Sequence, residues 1–278
     1  MSDFLRTMLR SSERRHEHNI ATVSLKTLET QIETQRRPST LVLDPQFSLI
    51  AEIKGRSPAE GALADGETLD RVAQANAYAS GGASAISVLT EPERFDGSLT
   101  HLEDVSDSLT THRVPAMRKD FLCSEYQVFE AAAHGAGGVL LITAMLSDSS
   151  LAAMLNVAEQ CHLFVLVECF DAEDIQRSLA VLSQPSVQAL IDRGQLMLGI
   201  NTRNLRTLAV DDTRLEVLAP KLPLRELVCV AESGLKRADD ASRVVRLGYR
   251  AALIGTALMR SENPQEAVRA FVAAGRDV

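Results

Sequence analysis

The chain has 278 residues, 45% of them hydrophobic and 24% charged, the composition of an ordinary globular protein with one sizeable core. Its formal net charge of −8 argues against a general nucleic-acid binder, but a few local cations can still hold a small anionic substrate. The four cysteines form no C-x-x-C pair, and the opening residues lack the apolar core of a signal peptide. We therefore expect reduced cysteines, a cytoplasmic location and no membrane segment.

The first 46 residues stand apart from the pattern that follows. They contain two stripes of apolar side chains at helical spacing: Phe4, Leu5, Met8 and Leu9, then Leu25, Leu28 and Ile32. We expect residues 1–46 to form helices that pack on the rest of the chain rather than a separate domain.

From residue 47 onward, short apolar runs alternate with segments of helical periodicity. Eight runs are candidate strands: Phe47–Ile53, Ser84–Leu89, Val114–Met117, Gly138–Ile142, Leu163–Val167, Leu196–Ile200, Leu227–Val230 and Ala251–Ile254. They lack period-2 alternation, which is typical of parallel strands covered on both faces. The segments Leu69–Ala79, Ser124–Ala133 and Ala238–Leu247 carry apolar residues at helical spacing, and Gly248 suits the residue after a helix.

Eight repeats of strand and helix favour a closed (β/α)8 TIM barrel with an N-terminal helical extension, residues 1–278 forming a single domain. No G-x-G-x-x-G follows the first predicted strand, which counts against a dinucleotide-binding fold.

Polar residues stand where the predicted strands end, the edge at which barrel enzymes carry their chemistry. The candidate catalytic residues are Glu52, Lys54, Lys119, Glu168, Asn201 and Glu232. Glu52 and Lys54 share one face of an otherwise apolar strand because they are two residues apart. Charged groups gathered there would each cost several kcal/mol if buried without partners, so the cluster indicates function rather than packing.

A second group of residues suits an anion. Ser233 and Gly234 follow the seventh predicted strand, and Gly255 and Thr256 follow the eighth; these two loops recurrently bind phosphate in this architecture. Glycine leaves backbone N–H groups accessible to phosphate oxygens. Ser57, after the first strand, adds a hydroxyl near the Lys54 ammonium.

These residues fall in segments that together resemble the indole-3-glycerol phosphate synthase family. The segments are in the family's order: Ile50–Pro58, Ile86–Glu91, Phe95–Ser98, Arg118–Phe121, Leu166–Glu168, Gly199–Leu205, Glu232–Gly234 and Ile254–Met259. The resemblance implies a carboxy-lyase of tryptophan biosynthesis that closes, decarboxylates and dehydrates 1-(2-carboxyphenylamino)-1-deoxyribulose 5-phosphate to indole-3-glycerol phosphate. It implies no cofactor and no metal. The implied partner is a small phosphosugar, without nucleic acid or membrane, and a monomer or a homodimer is compatible with it.

The resemblance also implies a role for each candidate residue. Lys119 is the expected general acid of ring closure, and Lys54, Glu52 and Glu168 are the candidates for dehydration. Asn201 and Glu232 are expected to bind the sugar hydroxyls. Arg203 is expected to bind these two side chains or the anthranilate carboxylate. Phe95 and Phe121 are expected to lie along the aromatic ring.

Electrostatics add an expectation for Lys119. A proton donor to a carbonyl oxygen is useful when its pKa lies near about 7–8. If Lys54 and Arg118 are neighbours of Lys119 and the site is partly desolvated, the pKa of Lys119 is shifted downward.

Alternatives stay open at this point. Gly55, Asn204 and Leu235 differ from the residues usual in the family, which leaves room for a paralogue acting on a modified anthranilate substrate. A non-catalytic phosphosugar-binding protein is another possibility, although two lysines with carboxylate neighbours argue against it. Phosphoribosylanthranilate isomerase is disfavoured because the first predicted strand carries Glu52 and Lys54 and no cysteine.

Overall fold

The computed structural model describes residues 3–57, 61, 62, 69–203, 205, 210, 211 and 213–278. Within them the strands are β1 (Ser48–Ile53), β2 (Arg56–Ser57), β3 (Gly61–Ala62), β4 (Ala85–Leu89), β5 (Ala116–Lys119), β6 (Gly138–Ile142), β7 (Phe164–Cys169), β8 (Leu196–Asn201), β9 (Val228–Glu232) and β10 (Ala251–Ile254). Strands β1 and β4 to β10 are parallel and close into a barrel in the order β1-β10-β9-β8-β7-β6-β5-β4. The predicted (β/α)8 barrel is confirmed.

Each predicted strand corresponds to one barrel strand. The main shift is at β5, which begins two residues later than predicted and includes Arg118 and Lys119. Strands β7, β8 and β9 likewise continue through Glu168, Asn201 and Glu232. The sequence pattern ended these strands at the last apolar residue, whereas the backbone ladder continues through the polar residues at the barrel mouth. The antiparallel hairpin of β2 and β3 was not predicted.

Helices alternate with the barrel strands. They are α1 (Asp3–Thr22), α2 (Leu25–Thr34), α3 (Arg71–Gly81), α4 (Pro92–Phe95), α5 (Leu99–Ser108), α6 (Glu125–Ala133), α7 (Asp148–Gln160), α8 (Ala172–Leu182), α9 (Gln188–Asp192), α10 (Arg214–Leu218), α11 (Ala238–Arg246), α12 (Thr256–Met259) and α13 (Pro264–Arg276). Gly248 follows the end of α11 with a φ of 97°, a left-handed conformation that glycine adopts at little cost.

The N-terminal helices lie against the barrel. Leu5 and Met8 of α1 are fully buried and belong to the same apolar cluster as the barrel strands. Arg15, also on α1, binds the carboxylate of Asp120 with two hydrogen bonds of 2.8 Å, so this helix reaches the end of β5. In the described ranges, no helix is both long and apolar enough to cross a membrane.

Candidate active site

A cavity of about 560 Å³ opens at the carboxyl ends of the barrel strands. This volume is typical of small-molecule sites, which measure about 300–1,000 Å³. The predicted site residues that line it are Glu52, Lys54, Phe95, Lys119, Phe121, Asn201, Arg203, Glu232, Ser233, Gly234, Gly255 and Thr256. Glu168 reaches the cavity through its contact with Lys119. The predicted role of Ser57 concerns a side chain outside the described part of the chain.

Glu52 and Lys54 form an ion pair at the end of β1. Lys54 Nζ lies 2.6 Å from Glu52 Oε1, and the two side chains are 15% and 6% exposed. Burial works to raise the pKa of Glu52, but the charges of Lys54 and Lys119 outweigh it and hold that pKa below its usual range. Gly255 provides room for this pair, because a Cβ there would overlap Glu52 Oε1 and lie 2.8 Å from Lys54 Nζ.

Lys119 belongs to a second pair, with Glu168 of β7. Its Nζ lies 3.4 Å from Glu168 Oε2, while Asn201 Nδ2 donates to Glu168 Oε1 at 3.2 Å. Burial alone would lower the pKa of Lys119, but attraction to Glu168, Glu52 and Glu232 outweighs burial and raises it above its ordinary value. The expected downward shift was therefore wrong, because carboxylates rather than cations dominate the surroundings of this ammonium.

Arg118 does not act on Lys119 as the sequence suggested. Its guanidinium, 1% exposed, is held by Asp120 at 3.2 Å and Glu130 at 2.8 Å and also donates to the backbone carbonyl of Gln127. Successive residues of a strand point to opposite sides, so Lys119 enters the cavity while Arg118 enters the layer between strand and helix. Arg118 is part of the structural support of β5.

Glu232, at the end of β9, differs from the other carboxylates. The residue is 1% exposed, and no donor among the described residues makes a hydrogen bond to either oxygen. Burial and then repulsion from Glu168 raise the pKa of Glu232 well above its usual range, while Lys119 opposes the shift. A proton placed on either carboxyl group would be shared with the other in a hydrogen bond, and this contribution also raises the pKa of Glu232. Glu232 is thus the carboxyl of the cavity best suited to hold a proton.

The aromatic part of the cavity has one member that sequence reasoning missed. Phe95 and Phe121 pack with ring centroids 6.0 Å apart, and Phe4 of α1 meets Phe121 edge-on at the same distance. Phe4 also lines the cavity. Its place in an apolar helical stripe was the only available signal, and that signal is the same for a packing residue.

Two loops on the other side of β1 present backbone to the cavity. Ser233 and Gly234, after β9, have φ angles of 65° and 77°, and such a conformation costs a serine about 1 kcal/mol or more. Gly255 and Thr256 follow β10. Two exposed cations at the rim, Lys236 and Arg260, were not predicted, since exposed basic residues after a strand carry no distinguishing pattern.

The departures from the family pattern fall at the edge of this site. A Cβ at Gly55 would lie 3.4 Å from Arg71 Nη2 and 3.5 Å from Asp96 Oδ2, which is ordinary van der Waals contact, so the packing here does not require a glycine. Leu235 lines the cavity as an apolar residue, and Asn204 lies outside the described residues. None of the described departures removes a charged group from the cavity.

A closed parallel barrel with two lysine–carboxylate pairs at the carboxyl ends of its strands defines an acid–base enzyme of the (β/α)8 class. Solved structures of this architecture match the chain in fold alone; one is 3-hexulose-6-phosphate synthase, with a TM-score of 0.59 and 17% identity over 82% of this chain and 99% of that one.

Sequence comparison identifies the family. The family model described as indole-3-glycerol phosphate synthase matches residues 8–271. A protein of that name from Micrococcus luteus is 43% identical over 230 residues, which cover 83% of this chain and 79% of the relative. Another from a Nocardioides species is 45% identical over 222 residues, covering 80% and 78% of the two chains. The chain belongs to the indole-3-glycerol phosphate synthase family.

Proposed function

We propose that this chain carries out the carboxy-lyase reaction of its family in tryptophan biosynthesis, converting 1-(2-carboxyphenylamino)-1-deoxyribulose 5-phosphate into indole-3-glycerol phosphate. One observation carries the proposal: the pairs Glu52–Lys54 and Lys119–Glu168, from three strands, meet at one cavity. The cavity has aromatic side chains on one side of β1 and glycine-containing loops on the other, which matches a substrate with an aromatic ring at one end and a phosphate at the other.

The substrate is held at both ends. The phosphate binds the loops of Ser233-Gly234 and Gly255-Thr256, with the Lys54 ammonium directly beside Gly255. The anthranilate ring lies against Phe95 and Phe121. Holding a flexible molecule in a bent, reactive conformation contributes several kcal/mol of rate enhancement through orientation alone.

Lys119 is the general acid of ring closure. Its raised pKa keeps it charged at neutral pH, so it begins the reaction as a donor. As the ring carbon attacks the ketose carbonyl, the carbonyl oxygen becomes an alkoxide, which is a stronger base than the amine left behind when Lys119 gives up its proton. The ring then loses carbon dioxide and regains its aromatic electrons.

Dehydration needs an acid for the departing hydroxyl and a base for the proton left on carbon. Glu52 remains ionised because Lys54 and Lys119 lower its pKa, which suits it to the role of base, and Lys54 is the adjacent donor. Glu168, which is held by Lys119 and Asn201, is a second candidate for the base of the dehydration step.

Three cavity residues orient the substrate. Asn201 and Glu232 bind the sugar hydroxyls, and Arg203 binds the anthranilate carboxylate or these two side chains. The backbone N–H of Arg203 donates to Asn201 Oδ1 at 2.9 Å, which links the loop after β8 to the strand end.

Location and organisation are part of the proposal. Four free cysteines fit a reducing cytoplasm, where thiols stay unpaired. The burial of Leu5 and Met8 in the cluster that includes the barrel strands fits one domain over residues 1–278. The phosphosugar is the substrate, and both a monomer and a homodimer are compatible with the proposal.

The test is turnover of the carboxyphenylamino substrate, followed through the fluorescence of the indole product. Lys119→Ala is expected to lower kcat by about 10²–10⁴-fold while calorimetry still detects substrate binding. Lys26→Ala, which removes an exposed lysine of α2, is the matched control and should keep normal kinetics. Absence of turnover by the unmodified chain would overturn the proposed function, and near-normal turnover by Lys119→Ala would overturn the choice of acid.

A further inference from the structure

The space above Gly199 is occupied by a charged side chain from the neighbouring strand. Gly199 lies in the middle of β8, and its register partners are Glu168 on β7 and Val230 on β9. A Cβ at position 199 would overlap Oε1 of Glu232, and it would lie 3.0 Å from both Glu232 Cδ and Leu166 Cδ1. The Glu232 carboxyl group therefore fills the volume that any side chain at 199 would need.

This placement moves the Glu232 carboxyl away from the level of its own residue. Glu232 pairs in register with Asn201, two residues beyond Gly199 on β8. Its side chain must therefore turn back toward the barrel interior and across β8. The level it reaches is that of Glu168, the register partner of Gly199 on the other side. The missing side chain is thus what lets carboxyl groups from β7 and β9 approach across the strand between them.

The two carboxyl groups then have unequal surroundings. Glu168 receives the Lys119 ammonium and the Asn201 amide, whereas Glu232 receives no hydrogen bond from any donor of the described residues. The charges that act on Glu232 are Glu168 from β7, Lys119 from β5 and Glu52 from β1. Two carboxyl groups this close do not both ionise readily, and the one without donors is the one that keeps the proton.

We propose that Gly199 is a positioning residue of the reaction, whose absent side chain seats Glu232 beside Glu168 so that Glu232 enters the cycle as a protonated carboxyl group. The inference rests on the proposed function, because it assigns the origin of a proton in that reaction. A protonated Glu232 donates a hydrogen bond to a substrate hydroxyl, which an ionised carboxylate cannot do. Its role in orienting the sugar hydroxyls thereby becomes that of a donor.

The first test is Gly199→Ala. The added methyl group displaces the Glu232 carboxyl from Glu168, and we expect kcat to fall about 10²-fold, the scale of one positioned acid–base group. Separation from Glu168 removes a like-charge neighbour, so the alkaline limb of the kcat profile should move to lower pH by about one unit. If Gly199→Ala keeps both the kcat and the alkaline limb of the unmodified chain, the inference is overturned.

Gly138→Ala is the matched control. Gly138 begins β6 at the opposite end of the barrel, and a Cβ there would lie 2.5 Å from the Phe164 ring. This variant is expected to lower thermal stability and leave the pH profile and KM unchanged. An equal displacement of the pH limb in both variants would identify a general structural effect and overturn the positioning role.

A double-mutant cycle with Glu232→Asp tests whether Gly199 acts through the position of the Glu232 carboxyl group. Aspartate is one methylene shorter, so its carboxyl group withdraws from the volume above Gly199. Adding Gly199→Ala to Glu232→Asp should therefore cost little further activity, whereas multiplication of the two single effects would show independence and refute the inference. If Gly199→Ala fails to fold, Glu232→Asp alone is decisive, since it must show the same shifted limb.

The outcomes distinguish this inference from the proposed function. Loss of turnover in Lys119→Ala together with a normal Gly199→Ala would leave the function standing and remove only the role of Gly199. No turnover by the unmodified chain would remove both.

Discussion

Two adjacent arginines on α1 allow a direct test of how the N-terminal helix is held. Arg15 is 22% exposed and binds the fully buried Asp120 carboxylate with two hydrogen bonds of 2.8 Å. Arg14 makes a single contact of 2.9 Å with Glu93, and the two side chains are 63% and 46% exposed. Methionine keeps most of the length of the arginine stem, so Arg15→Met and Arg14→Met each remove chiefly the charge and its hydrogen bonds.

The two variants should differ strongly in stability. Breaking a buried ion pair costs about 3–5 kcal/mol because the remaining charge is left unpaired. Asp120 keeps Arg118 at 3.2 Å and Thr90 at 2.8 Å, so we expect the lower end, about 3 kcal/mol, for Arg15→Met. The exposed pair of Arg14 contributes about 0–1 kcal/mol.

The assay is urea denaturation followed by far-ultraviolet circular dichroism, with comparison of midpoints at equal slope. The pH dependence has a definite sign. Burial works to raise the pKa of Asp120, but the hydrogen bond and charge of Arg15 and the charge of Arg118 hold it well below the usual range. This stabilisation is present above the unfolded-state pKa of about 3.9 and is lost as the pH falls below it. The difference between Arg15→Met and the unmodified chain should therefore narrow below about pH 4.

Equal midpoints for Arg15→Met and Arg14→Met at neutral pH would refute this reasoning. A gap that stays constant between pH 7 and pH 3 would show that the loss comes from packing of the arginine stem rather than from the Asp120 charge.

Three further outcomes follow from the geometry. Phe4→Ala should raise KM more than it lowers kcat, because it opens the aromatic side of the cavity without touching a charged group; steady-state kinetics with the carboxyphenylamino substrate measure this. Gly234→Ala should chiefly raise KM, because it places a Cβ on a residue with a φ of 77° in the phosphate loop. Thr256→Val should also chiefly raise KM, because it removes a hydroxyl group from the other phosphate loop. A loss of kcat without a rise in KM would contradict the phosphate role of these loops. Tyr249→Phe should lower the free energy of unfolding by about 0.5–1.5 kcal/mol in thermal or urea denaturation, because it removes the 2.9 Å hydrogen bond to the Leu215 carbonyl, which keeps the backbone N–H of Ala219 as a donor.

The barrel was predictable because its strands are buried on both faces. Such strands appear in the sequence as apolar runs, and repetition of the run eight times leaves few other architectures. The cluster of candidate residues was predictable for a related reason, since a charged residue after a buried run has only the barrel mouth to occupy. Neither argument depends on distances between side chains.

What the sequence did not reveal depends on such distances. The pleat of β5 decides whether Lys119 lies near cations or carboxylates. It turns the Arg118 side chain away from the cavity and leaves Lys119 Nζ 3.4 Å from Glu168 Oε2. The contribution of Phe4 depends on where a helix from the other end of the chain docks. The role of Gly199 depends on Glu232, which belongs to the neighbouring strand and pairs in register two residues beyond Gly199. A glycine in an apolar run of sequence does not indicate which side chain fills the space above it.

The charge balance of the cavity connects these findings. The cations of the cavity are Lys54, Lys119 and Arg203, with Lys236 and Arg260 at its rim. A proton on Glu232 removes a negative charge from the cavity and therefore makes it more positive. The substrate brings a phosphate and a carboxylate, and an ionised Glu232 would weaken the positive potential that attracts them. The position of Glu232 beside Glu168 thus has two effects. It supplies a hydrogen-bond donor for a hydroxyl group. It also makes the cavity more attractive to an anion, in a chain whose net charge is −8.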